Sequence, residues 1–182
     1  MNLVERPLRR RRVHKGTAVD FWSDTVRLPS GAVGTREYLG HPGAVAVVAV
    51  KESGRDPKIL FVRQYRYPVK EVTWEIPAGK LDRGEKPLPC VRRELEEETG
   101  FRARRVRKLL SFWPTAAFAD EIIHVYLARD LRPGAFRPDE DEFLEPAVLP
   151  LSRALDMVRR GRIKDSKTII ALLVFSRWFL RR

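Results

Sequence analysis

Between residues 17 and 40, apolar and polar positions alternate on both sides of Leu28-Pro29-Ser30-Gly31. A period of two around a turn signal predicts two strands joined as a hairpin. His41-Pro42-Gly43 breaks the pattern, and the unbroken Ala/Val run at 44–50 predicts a buried strand. Gly54-Arg55-Asp56-Pro57 turns the chain into 59–65, predicted as its antiparallel return. Residues 74–77 predict a short extended piece, because the residue before a proline is pushed out of the helical region.

A helix follows whose limits are written in the chain. Pro87 and Pro89 are tolerable only in its first turn, and Gly100 stands where a left-handed C-terminal cap is expected. Residues 106–113 and 122–128 predict two more strands, and the Pro/Gly/acid-rich segment 132–145 predicts a loop. Helical patterning returns over 151–160 and 167–180, broken near Gly161, while residues 1–13 read as a polar tail. Strands mixed with two or three helices imply an α/β or α+β domain with a mixed sheet between helices.

At 182 residues, 43% apolar, the chain suits one compact domain with a small extension. Cys90 is the lone cysteine, which excludes an intramolecular disulfide and a cysteine zinc cage. No signal pattern opens the sequence, and the apolar runs at 44–50 and 169–180 are too short to cross a bilayer, so a cytoplasmic location is expected. The net charge of +12 invites a nucleic-acid reading. The 27 Arg and 9 Lys are nevertheless spread along the chain, apart from the run at 9–12, and match no zinc-finger, KH or RRM pattern. The positive field is better read as help in recruiting an anionic phosphate substrate.

The sharp chemistry lies at 79–101. Gly79 is followed by five residues and Glu85, then by seven residues and Arg93-Glu94-Leu95-Glu96-Glu97-Glu98-Thr99-Gly100-Phe101. Glu94, Glu97 and Glu98 are spaced i, i+3 and i+4, so a helix puts the three carboxylates on one face, where they repel. A hard divalent cation, Mg2+ or Mn2+, is the natural partner of such oxygens. A solvated, charge-laced helix is the ordinary meaning of a Glu/Arg-rich stretch. Here seven fixed positions recur by chance only on the order of once in 10^8 starting points, which decides against it.

These residues match without a gap the box of the Nudix hydrolases, and the chain is identified as a member of that family. The resemblance implies an α/β/α sandwich with a mixed sheet and metal-dependent hydrolysis of a nucleoside diphosphate linked to another group. Over residues 16–182 it points to the bacterial ADP-ribose pyrophosphatase branch, through His41-Pro42-Gly43-Ala44-Val45, Phe61-Val62-Arg63-Gln64-Tyr65-Arg66-Tyr67-Pro68 and Trp74-Glu75-Ile76-Pro77-Ala78-Gly79. It implies Glu94, Glu98 and the Ala78 carbonyl as metal ligands, with Glu97 a further ligand or water-holder. Arg93 would orient the carboxylates and Glu85 support the loop. Arg63 and Arg66 would contact the diphosphate.

In that branch the water-activating carboxylate can lie in a late acidic loop, here Asp139-Glu140-Asp141-Glu142, with Glu140 and Glu142 both open as base. The N-terminal β-hairpin extension, residues 1–40 with the basic tail, resembles a dimerisation segment that reaches the partner's site. This implies a homodimer in which Phe21 and Trp22 stack on adenine and Arg36 meets phosphate or ribose; packing and surface charge are the plain alternatives. The catalytic domain would then be 41–182. One departure concerns Pro114-Thr115-Ala116-Ala117-Phe118-Ala119-Asp120-Glu121. Aligned on Phe118 and Glu121, a substrate contact, Ala116 and Ala117 replace the branch's Pro-Gly. ADP-ribose is the expected substrate, with a nucleotide sugar, NADH or a flavin dinucleotide as alternatives, and a non-catalytic nucleotide- or RNA-binding module as the remaining one.

Overall fold

The computed structural model of the chain describes residues 2–179. It divides into two compact units, one of Met1–Gly43 with Trp113–Ile122 and one of Ala44–Phe112 with Ile123–Arg182. The first unit therefore takes in the Ala116-Ala117 segment as well as the N-terminal extension.

In the first unit β3 (Asp20–Arg27) and β4 (Val33–Gly40) form the expected hairpin, in register from Asp20 opposite Gly40 to Arg27 opposite Val33. Residues 6–15 are not a tail. They form β1 (Arg6–Arg9) and β2 (Arg12–Lys15), laid end to end along the free edge of β3, with register shifts between Pro7 and Arg9 and between Arg12 and His14. Such irregularities hide the period of two and blunt an edge strand. The arginine run is held by named partners. Buried Asp24 accepts the Arg11 backbone N–H at 3.1 Å and the Tyr38 hydroxyl at 3.0 Å, and Arg12 pairs with Asp20 at 2.9 Å. In the 113–122 segment the Phe118 carbonyl accepts from Leu39 N–H at 2.9 Å, and Asp120 accepts from His41 N–H at 2.7 Å.

The second unit is built on β5 (Ala44–Glu52), β6 (Lys58–Arg66), β7 (Glu71–Glu75), β8 (Ala78–Lys80), β9 (Phe101–Phe112), β10 (Ile123–Pro133) and β11 (Leu144–Pro150), in the order β11-β6-β5-β10-β9. β5 runs parallel to β10 and every other pairing is antiparallel, so the sheet is mixed. β7 pairs with β6 and β8 with β5, which places 71–80 where β5 and β6 diverge.

Alternation along β5 sorts the core into two layers. Ala46, Val48 and Val50 pack with α2 (Leu151–Arg159) and α3 (Ser166–Phe179) through Leu151, Ala154, Ala171, Leu172 and Phe175. Val45, Val47 and Ala49 pack on the other face with α1 (Pro87–Thr99) through Cys90, Val91 and Leu95. A strand covered on both faces reads as a continuous apolar run, which explains residues 44–50. Each fully buried Leu or Phe contributes roughly 1.5–3 kcal/mol. The result is the expected α/β/α sandwich. β9 and β10 are longer than the predicted strands. β11 went unread because Pro146 and Pro150 argue against a strand, yet it is an edge strand paired only with β6, where proline is tolerated. The predicted loop therefore shrinks to 134–143. Of the final predicted helix, Leu180 lies outside the described residues.

Candidate active site

Helix α1 starts at Pro87 after Lys86, and ends at Gly100, whose φ of 70° is left-handed and whose N–H bonds the Glu96 carbonyl at 2.8 Å. Glycine suits that cap because a β-carbon is strained there. Val91, Leu95 and Thr99 face the sheet, which turns Glu94 and Glu98 toward β8. The Ala78 N–H donates to Glu98 Oε2 at 2.9 Å, and a β-carbon on Gly79 would overlap the Glu94 carboxylate.

Arg93 gathers the acidic side chains. Its Nε and Nη2 reach the two Glu85 oxygens at 3.2 and 2.9 Å, and Nη1 reaches Glu94 at 2.8 Å and Glu97 at 2.9 Å. Held by this fork, the Glu85 carboxyl is lowered to about 2. Glu94 and Glu98 go the other way. Burial pushes Glu94 up to about 7 against the pull of Arg93, and Glu98 up to about 8 against its bond from Ala78. Among the described residues no three His, Cys, Asp or Glu side chains converge in metal-holding geometry, Arg93 engaging Glu94 and Glu97 itself. The donor set nevertheless suits a hard divalent cation, since buried Glu98 and half-buried Glu94 resist ionisation without one.

The acidic loop is tied to the end of this helix: Gly134 N–H bonds the Gly100 carbonyl at 2.7 Å, Ala135 N–H bonds Glu96 at 3.1 Å and Arg137 N–H bonds the Glu97 carbonyl at 3.0 Å. The two glutamates left open by the sequence separate here. Glu142 is half-buried, and its charge raises the pKa of both Glu94 and Glu98. Its own carboxyl is raised by burial and by Asp139 and Asp141, against Arg66 and Lys80. Glu140 is exposed to solvent.

A buried network adjoins these residues. Arg66 grips both oxygens of Glu75 at 2.8 Å each, Lys167 bonds the same carboxylate, and Thr73 donates to it at 2.5 Å. Asp165 accepts from Lys167 at 2.9 Å and caps α3 through Thr168 N–H at 2.9 Å, while Thr168 accepts from Ile76 N–H at 2.9 Å. Burial opposes the Glu75 charge, but the Arg66 and Lys167 contacts outweigh it and hold the carboxyl well below its ordinary range. Sequence reasoning missed Glu75, Asp165 and Lys167, a network that closes only where Lys167 meets Glu75, 92 positions away in the chain. It placed Arg66 on substrate; here the Arg66 Nε and Nη2 donate to Glu75. Arg63 pairs with Glu145 at 2.7 Å and stacks over Trp74 at 5.3 Å, with its Nε buried and without a hydrogen-bond partner among the described residues.

The remaining candidates sit in the first unit. Arg36 pairs with Glu5, its Nε donating at 2.8 Å. The Trp22 ring carries Arg10 at 4.6 Å and Arg12 at 5.6 Å, so cations already occupy the surface proposed for adenine. Phe21 is half-buried opposite Leu39 on β4, and Glu121 lies 3.8 Å from His41. Ala116 and Ala117 are exposed in a turn closed by Phe118 N–H to the Thr115 carbonyl at 3.2 Å.

Comparison with known proteins gives the family. The NUDIX domain family model matches residues 40–172. The chain is 41% identical to an ADP-ribose pyrophosphatase of Bacillus subtilis (strain 168), over 94% of this chain and 92% of that protein. It is 44% identical to a methanol dehydrogenase activator of Bacillus methanolicus, over 92% and 90% respectively. A solved structure described as an ADP compounds hydrolase superposes with a TM-score of 0.83 at 21% identity, covering 96% of this chain and 93% of that one. The chain belongs to the Nudix family and is a Nudix hydrolase.

Proposed function

We propose that the chain hydrolyses ADP-ribose to AMP and ribose 5-phosphate with Mg2+, or Mn2+ in its place. The observation that carries this is the meeting of half-buried Glu94 against Gly79 and buried Glu98 on the Ala78 N–H, with the Glu142 charge raising both. The 41% identical relative named as an ADP-ribose pyrophosphatase supports the substrate. Glu94, Glu98 and the Ala78 carbonyl would hold the cation, with Glu97 as further ligand. When bound, the cation supplies charge neutralisation for the diphosphate and acidifies water.

The chain's own residues do the rest. Arg93 fixes the carboxylates of Glu85, Glu94 and Glu97 relative to one another. Glu142 accepts the proton lost by water as its oxygen attacks phosphorus and the P–O bond to the leaving phosphate breaks. Arg63 offers its guanidinium to diphosphate oxygens, where an arginine fork binds bidentately. Arg66 is a positioning residue, acting through Glu75. The lone, buried Cys90 suits a reducing cytoplasmic setting.

We further infer a homodimer formed through the first unit, which exposes Leu3, Val4, Leu8, Val33, Trp113 and Phe118. Arg36, Phe21, Trp22 and Glu121 would then serve the partner's substrate rather than their own.

The test is kcat/KM with Mg2+ for ADP-ribose, ADP-mannose, GDP-mannose, NADH and flavin dinucleotide, with products identified. ADP-ribose is expected among the best. Exposed Ala116 and Ala117 broaden the range, since one altered pocket contact changes discrimination by only about 1–3 kcal/mol. ADP-ribose falling about a hundredfold below another substrate overturns the assignment, that gap exceeding what one contact supplies.

A further inference from the structure

Arg92, Arg104, Arg105, Arg107 and Arg129 line one groove of about 430 Å³ in the second unit, and none of them has a part in the proposed chemistry. Two features of the backbone concentrate them. The side chains of β9 and β10 that pack into the α1 core are Phe101, Ala103 and Val106 on one strand and Tyr126, Ala128 and Leu131 on the other. The step from Ala103 to Val106, and that from Ala128 to Leu131, is three residues instead of two. The alternation expected of a strand is thus interrupted at the same level on both strands. Asp130 marks the interruption with a left-handed φ of 57°. Arg104 with Arg105, and Arg129 with Asp130, are the residues released from the core side. Arg129 then stands directly opposite Arg105, a like-charge cross-strand pair that destabilises a sheet.

The lining residues include five arginines and no carboxylate. Asp130 pairs with Arg105, at 3.1 Å to Nη2, and its carboxyl is lowered by that hydrogen bond and by the charges of Arg104 and Arg129. Arg92 is anchored from α1 by a 2.7 Å bond from Nη1 to the Ala103 carbonyl, which fixes its guanidinium at the groove. Arg129 carries its Nε buried with no hydrogen-bond partner among the described residues. A buried donor of a charged group left unsatisfied is costly, and stability alone does not account for it.

We propose that this groove is a second anion site, separate from the Glu94/Glu98 centre, that binds a small ligand carrying two or three linked phosphoryl groups. Its volume falls within the range of small-ligand sites, roughly 300–1,000 Å³. Arginine forks match phosphoryl oxygens bidentately. Val106 and Leu127 supply the apolar lining and no aromatic ring is present, so the groove reads phosphoryl oxygens and not a nucleobase.

The probe is inorganic tripolyphosphate, titrated calorimetrically into the full chain without divalent metal. ATP, orthophosphate and a single-stranded RNA are run in parallel. Tripolyphosphate is expected to bind one groove per chain, ATP to match it, and orthophosphate to bind at least about tenfold more weakly, having fewer charge-assisted bonds to offer. Arg104→Gln/Arg129→Gln is expected to weaken tripolyphosphate about tenfold or more, while ADP-ribose turnover stays within about twofold. Because Arg129 is partly buried, Arg104→Gln/Arg107→Gln, at two exposed positions, gives the same reading without disturbing the fold. Arg153→Gln/Arg162→Gln removes equal charge elsewhere and is expected to leave affinity unchanged. Unchanged affinity in both groove variants, equal loss in the charge-matched control, or groove-dependent binding of RNA without tripolyphosphate would each overturn the proposal.

Discussion

The carboxylate of Glu94 occupies the space that a β-carbon on residue 79 would need, so Gly79 and Glu94 fit only as glycine against a long acid. The contact joins β8 to α1 and fixes how deeply Glu94 sits. Gly79→Ala must push the carboxylate away or shift β8. Such overpacking costs about 1–3 kcal/mol. Displacing a reacting group by about 1 Å lowers turnover about a hundredfold. We expect a folded variant with kcat/KM reduced on that scale, measured on ADP-ribose beside a thermal melt. Parental turnover would show that Glu94 does not need this depth.

Stability should respond to pH in two opposed ways. Glu75 is held below its ordinary pKa, so it contributes stability that is present above about pH 4.5 and lost as pH falls through its folded value. Glu94 and Glu98 are raised to about 7 and about 8, so without metal their contribution is present at low pH and lost as pH rises through those values. The metal-free melting temperature should therefore decline from pH 6 toward pH 8.5. Mg2+ should restore it more at pH 8.5 than at pH 6, because a cation binds the ionised form. Glu98→Gln should flatten both responses. A metal-free melt that rises over this interval contradicts the assignment.

Much of this was legible because the box is local. Gly79, Glu85, Arg93, Glu94, Glu97, Glu98 and Gly100 lie on one loop and one helix, so spacing alone places them on a shared face. The continuous run 44–50 likewise announces a strand covered on both faces. What stayed hidden depends on distant pairing. Glu75 and Lys167 meet across 92 positions, and no period in the sequence records it. Residues 6–15 concealed their strand because arginine fills it and two bulges break the alternation. β11 concealed its own behind two prolines that only an edge strand accepts. Arg66 was legible as important but not as Glu75's partner, because the same arginine serves a carboxylate or a phosphate equally well.

The exposed apolar side chains of the first unit lead to a test of assembly. Leu3, Val4, Leu8 and Val33 lie on or beside β1 and β4, and none belongs to the clusters that close the second unit's core. The full chain is expected to be a dimer by light scattering at micromolar concentration. Leu8→Glu with Val33→Glu should give a monomer, since charge at the centre of an apolar interface is strongly disfavoured. If first-unit residues complete the partner's site, that monomer also loses kcat/KM while keeping its melting transition. A monomeric parent chain removes the shared-site reading.

Glu142 and Glu140 offer the clearest separation of roles. They are two residues apart in one acidic loop, yet half-buried Glu142 raises both Glu94 and Glu98, while Glu140 is exposed. The loop owes this to its three bonds onto the end of α1, which bring Glu142 in while Glu140 stays in solvent. A carboxylate that takes water's proton acts only as the nucleophile forms, so its loss lowers kcat and leaves KM little changed. Glu142→Gln should reduce kcat about 10^2 to 10^4-fold, the usual worth of a positioned general base. Glu140→Gln should stay within about twofold, as expected of a solvated surface position. Steady-state kinetics on ADP-ribose at saturating Mg2+ decides, repeated at saturating Mn2+ to separate proton transfer from cation binding. A Glu142→Gln variant rescued by raising the metal concentration would make Glu142 a ligand rather than the base. Parental kcat in both variants would return the base to Glu97 or another residue of the box.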